Sequence, residues 1–144
     1  MALLRCQDQD HKTLIETYAA YESGSELFRT KGVDMINLIK QVNQELADVT
    51  VYAFTSHDNL CLVSENHTSS KVHVVITAHG YGLGYIIQYF MPEELAPWEH
   101  ARVMGESTTM RGAIEMIWTA MDQSQGWRHQ PEVVRFLREK VAKQ

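Results

Sequence analysis

An α+β fold, an antiparallel β-meander of about five strands packed against N-terminal and C-terminal helices, is predicted by three features of this 144-residue chain. Helical spacing of apolar residues dominates from Lys12 to Leu46. From Asp48 to Glu106, β-branched and aromatic runs alternate with short clusters of turn-forming residues. Helical spacing then returns from Met110 onward. Helices segregated before and after a run of strands, instead of alternating with them, indicate a meander sheet with helices on one face. No repeat, low-complexity tract or Pro/Gly/Ser linker divides the chain. With 44% hydrophobic and 22% charged residues it reads as one domain, 1–144, able to build a core without disulfides or metals.

Each element has its own justification. In Lys12–Glu22, Leu14, Ile15, Tyr18 and Tyr21 fall near helical spacing, and Ser23-Gly24-Ser25 breaks the run. Ser23 and Glu26 have capping-box spacing for a short turn through Leu27 and Phe28, which Gly32 interrupts. Val33–Leu46 is amphipathic, with Met35, Leu38, Ile39, Val42 and Leu46 on one face and Asn37, Lys40 and Gln44 away from it. Val49–Thr55 and Leu60–Ser64 are strands joined by the turn SHDN. After the ENHTSS turn, Lys71–His79 places Val72, Val74, Ile76 and Ala78 on one face. Lys71, His73, Thr77 and His79 lie mostly on the other, so one face is buried and one wet. Gly80-Tyr81-Gly82 turns the chain into a strand from Leu83 to Met91, which Pro92 ends. Pro92–Pro97 is a loop or single helical turn, and Ala101–Glu106 a fifth strand. Ser107, Thr108 and Thr109 offer N-caps for a helix to about Gln123, with Met110, Ala113, Ile114, Ile117, Trp118 and Met121 as its stripe. Gly126 supplies the stop, Trp127 seals that helix end, and Pro131 opens a last helix, Glu132–Ala142.

Composition narrows the function. The longest uncharged apolar run, around Tyr81–Met91, is too short to span a bilayer and contains Gln88 and glycines, which argues against a membrane protein. The N-terminal MALLRCQDQD lacks the features of a signal peptide, so the expected location is the cytoplasm, with Cys6 and Cys61 reduced. Net charge is −5, with Arg128, Arg135, Arg138, Lys140 and Lys143 concentrated at the C-terminal end and an acidic body before them. An acidic body disfavours nucleic acid, whose binding rests on phosphate neutralisation, and suits a basic protein partner.

Candidate chemistry gives way mostly to structure. A His57-Asp58 dyad would need a nucleophile or metal and an orienting third group, whereas turn chemistry already explains SHDN. His73 and His79, six residues apart on one strand, sit about 20 Å apart and cannot share a metal; with no HxxxH, HxH or CxxC spacing, neither metal nor cofactor is expected. Gly80-Tyr81-Gly82-Leu83-Gly84 precedes a strand, not the helix a phosphate loop requires. Around Pro97, Glu93, Glu94, Glu99 and Glu106 surround Trp98. As a sugar site or acid/base pair they would need a deeper cleft; as an acidic rim about an aromatic they suit protein recognition, unless Trp98 plugs the core under the sheet edge.

The segments SHDNLCL (56–62), MPEELAPW (91–98), ARVMGE (101–106) and AMDQSQGW (120–127) resemble small bacterial immunity proteins of secreted-toxin systems, including contact-dependent inhibition. The run that carries them covers about half the chain. Such proteins span many folds, so the resemblance bears on function: a small, acidic, non-enzymatic protein that covers the active site of a basic nuclease-type toxin. The expected partner-binding residues are Trp98, Glu93, Glu94, Glu99 and Tyr81, with His73 and His79 beside them. A second copy of the chain is a further candidate partner. Two alternatives stand: a small enzyme with a histidine and a carboxylate such as Glu106 in a pocket between sheet and helices, and a nucleic-acid module using the basic tail and sheet aromatics.

Overall fold

The computed structural model describes residues 2–144. In chain order the elements are β1 (Leu3–Arg5), α1 (Leu14–Ala19) running into a 3₁₀ turn (Ala20–Ser23), α2 (Glu26–Leu46), β2 (Val51–Ser56), β3 (Asn59–Val63), β4 (Val72–Ala78), β5 (Tyr85–Phe90), β6 (Arg102–Ser107), α3 (Met110–Ser124) and α4 (Pro131–Ala142). The strands form one sheet in sequential order. β2 to β6 are the expected antiparallel meander. The addition is β1, parallel to β2 and joined to it by the α1–α2 crossover that a parallel pair requires. Three residues show no readable alternation, so β1 is held from a distance: Ala2 N–H donates to Val49 O and Cys6 N–H to Ala53 O, at 2.9 and 2.8 Å.

Helix boundaries differ from the sequence reading in ways packing explains. The capping box is Thr13 with Glu16, opening α1, and not Ser23 with Glu26; Ser25 caps α2 instead, its hydroxyl accepting from Phe28 N–H. Gly32 does not interrupt α2. It lies inside the helix, where a Cβ would come within 2.6 Å of the Tyr18 carbonyl and 2.9 Å of the Tyr21 Cβ, so glycine lets α1 and the 3₁₀ turn press against α2. At the end of α3 the left-handed residue is Gln125, φ 57°, and not Gly126. Gly126 is required for space, because a Cβ there would collide with the His73 ring.

The core lies between the sheet and α2 and α3. Leu38, Ile39, Val42 and Leu46 of α2 and Ala113, Ile114, Ile117, Trp118 and Met121 of α3 meet Ala53, Leu62, Val74, Ile76 and Ile87 of the sheet. α4 packs on α3 through Val133, Leu137 and Phe136, whose ring stands edge-on to Trp118 at 4.9 Å. Strand register places a second row, Phe54, Cys61, Val75, Gln88 and Met104, on the opposite sheet face. Just beyond β1, Asn66 accepts from Gln7 N–H and Asp8 accepts from Thr68, pinning the 64–70 loop. Cys6 and Cys61 are buried and free. Two strand intervals separate β1 from β3, beyond the reach of a disulfide. Burial pushes the Cys61 thiol up to about 11 and raises that of Cys6, so both stay protonated.

Candidate functional site

The β5–β6 connection is built from short-range constraints. Pro92 ends β5, and its carbonyl accepts from Leu95 and Ala96 N–H, forming one helical turn. Met91 N–H donates to Ala101 O at 2.9 Å and Ala101 N–H to Trp98 O at 3.3 Å, closing the connection at its base. Pro92 and Ala101 are buried there. Between them the tip projects: Trp98 is 72% exposed and Leu95 59%. Trp98 is therefore a surface aromatic and not a plug under the sheet edge. A groove of about 700 Å³ runs alongside, lined by Lys71, Phe90, Met91, Glu93, Trp98 and His100.

Charges around the tip are mixed more than the sequence implies. Glu94 pairs with Arg128 at 3.1 Å, and Glu99 approaches His100 at 3.2 Å. Its own backbone N–H and the Arg128 guanidinium hold the Glu94 carboxyl below the usual carboxylate range. Among the described residues Glu93 makes no ion pair, leaving it the least compensated acid of the three. Arg102 lays its guanidinium over the Phe90 ring, 5.4 Å from its centroid, and donates to Gln88 at 3.3 Å.

The expected site residues fall into separate groups. Glu93, Glu94, Trp98 and Glu99 share the tip. Tyr81, exposed on the β4–β5 turn, lies at the other end of β5, about 17 Å away at the rise of an extended strand. His79 stands at that far end too, its Nε2 3.8 Å from a Glu106 oxygen. His73 leaves the wet face. A bulge opposite Leu62 and Val63 brings its ring against Trp127, centroids 5.2 Å apart, and its Nε2 within 3.3 Å of the Ser64 hydroxyl. Burial, with Lys71 and Arg128 nearby, lowers its pKa to about 4, so it is neutral at pH 7.

The alternatives call for a histidine and a carboxylate in a pocket between sheet and helices, or for basic residues beside sheet aromatics. Between the sheet and α3 a cleft of about 410 Å³ opens at β5–β6, lined by Tyr89, Val103, Glu115, Met116 and Thr119, and deeper in the core lies a void of about 10 Å³ lined by apolar side chains, among them Leu38, Leu62 and Trp118. The His79–Glu106 pair lies outside both, on the surface. For nucleic acid, Lys140 is tied to Glu45 and Arg128 to Glu94, and α4 sits on the helix layer while Phe54 lies on the opposite sheet face. Among the described residues, no three His, Cys, Asp or Glu side chains converge as a metal site, and no helix is long and apolar enough to cross a membrane. Sequence reading missed Leu95, Lys71 and the Arg102–Phe90 stack. Lys71 reaches the groove across the sheet, which no local spacing reveals. No protein-family model matches the chain, and no curated protein or solved structure matches it either.

Proposed function

We propose that this chain is a non-enzymatic protein-binding protein that recognises a basic partner domain through the Pro92–His100 connection. The observation that carries the reading is Trp98, 72% exposed with Leu95 beside it, on a turn hydrogen-bonded at both ends and flanking a groove. Leaving a tryptophan in water forfeits its burial energy, and aromatic side chains on rigid supports are the usual anchors of interfaces. Glu93 and the net charge of −5 favour a basic partner by steering its approach.

The partner class follows from the resemblance to immunity proteins. Two of the segments carrying it, MPEELAPW and ARVMGE, form this connection and the strand after it. The specific reading is an immunity protein that occludes the active site of a nuclease-type toxin.

The test uses the purified chain to capture its partner from native cells, followed by binding measurements with variants. Trp98→Ala is expected to weaken binding by about 2 kcal/mol, near 30-fold. Glu93→Lys is expected to slow association, most strongly at low salt. A captured partner without a basic surface, or unaltered binding by both variants, would remove the reading.

A further inference from the structure

We infer that β6 pairs antiparallel with β6 of a second copy of this chain, in a register centred on Met104. The sheet has two edges. The β1 edge is three residues long, and beyond it the Gln9 amide occupies the exposed edge of β2, accepting from Thr55 N–H and donating to Thr55 O. The β6 edge is different: six residues in unbroken register with β5, without proline or bulge, exposing Val103 and, at 60%, Met104. Protein edges commonly carry such devices against pairing.

The direction of its free backbone groups is fixed. Because Met91 N–H donates to Ala101 O, the alternation of an antiparallel ladder turns Val103, Gly105 and Ser107 toward β5. Arg102, Met104 and Glu106 therefore direct their N–H and C=O away from it. A second β6 related by a two-fold axis at Met104 sets Met104 against Met104, Arg102 against Glu106 and Glu106 against Arg102. Every outward backbone group of the three then has a partner, and opposite charges face each other on the same sheet face. Registers centred on Val103 or Gly105 also align outward groups, but they set Met104 against Arg102 or Glu106 and leave the charges unmatched. On the other face Val103 meets Gly105, which has no side chain to obstruct it.

Both charges are available. Among the described residues Arg102 makes no ion pair, and the only one Glu106 makes is with His79 at 3.8 Å, which requires a protonated imidazole. The charge pattern favours a second copy as the occupant, since opposite charges placed equally far from a two-fold centre complement themselves when the strand meets its own copy.

Sedimentation equilibrium on the full chain, from low micromolar to several hundred micromolar, reads the outcome. The expected mass rises toward twice 16.5 kDa. Arg102→Glu and Glu106→Arg, each placing like charges opposite, are expected to raise the dissociation constant roughly tenfold, and the double exchange to restore it. Met104→Pro removes an N–H that does not bond β5 and is expected to yield a monomer with an unchanged far-ultraviolet spectrum. A wild-type mass of 16.5 kDa throughout, single charge variants that dimerise as wild type does, or a monomer that captures an extended peptide at β6 would each overturn the pairing.

Discussion

His73 shows how one bulge converts an expected surface residue into a half-buried one with a measurable consequence. Its folded pKa, near 4, lies below the ordinary histidine value of 6.5. Below pH 6.5 the unfolded chain takes up a proton that the folded chain refuses, so stability falls as pH drops toward about 4 and levels beneath it. Because the ring is partly solvated, the loss is about 1–2 kcal/mol, less than the full shift implies. Urea unfolding at pH 7 and pH 4.5 is expected to show a smaller pH-dependent loss for His73→Gln than for wild type; equal losses would remove His73 as the cause. Gly84 makes the corresponding point about backbone. At φ 111° a side chain is strained, and a Cβ would collide with the Ser107 carbonyl across the β5–β6 pair. Gly84→Ala is therefore expected to cost about 3 kcal/mol in the same assay, whereas at Gly82, also at positive φ but open around its Cα, the cost is expected to be about 1 kcal/mol.

At the scale of elements, Glu45 joins the three long helices. From α2 it accepts two hydrogen bonds from Arg111 of α3, at 2.8 and 3.1 Å, and one from Lys140 of α4 at 3.1 Å, with its side chain only 12% exposed. Burial alone would raise its pKa, but these donors and Gln41 outweigh it and bring the carboxyl to about 2. Its contribution is complete above the ordinary glutamate value and is lost as pH falls through about 2, a window below that of His73. Glu45→Gln is expected to cost about 2 kcal/mol at pH 7 and much less near pH 2; a loss equal at both pH values would show that charge is not what Glu45 supplies. Such a tie was invisible in the sequence, where Glu45 and Arg111 have no shared period. The elements themselves were legible because local burial dictates them: the Met35–Leu46 and Ala113–Met121 stripes and all five meander strands stand where apolar spacing placed them. What failed were features set by a neighbour. Gly32 reads as a breaker until Tyr18 is packed on it, and β1 is too short to read without β2.

For the molecule as a whole, the sheet is asymmetric, with helices over one face and a free edge at β6, and this asymmetry accounts for what the sequence could say about function. The acids and Trp98 were readable as a group because they are contiguous; their separation from Tyr81 was not, because it depends on which strand end each turn occupies. Hydrogen exchange offers a direct test of the architecture. Central β3 and β4, bonded on both sides and covered by α2 and α3, are expected to exchange only through global opening, with protection approaching the full unfolding free energy. In β6 the expectation alternates. Val103 and Gly105 amides, bonded to β5, are protected, while Arg102, Met104 and Glu106 amides, facing away, exchange quickly in dilute solution. If a second copy adds to the edge, those same three amides gain protection as concentration rises and the β3 amides do not change. A uniform slowing across the chain would instead indicate a general stabilisation, and even-numbered β6 amides protected at every concentration in a species of 16.5 kDa would mean that the edge is already closed within one chain.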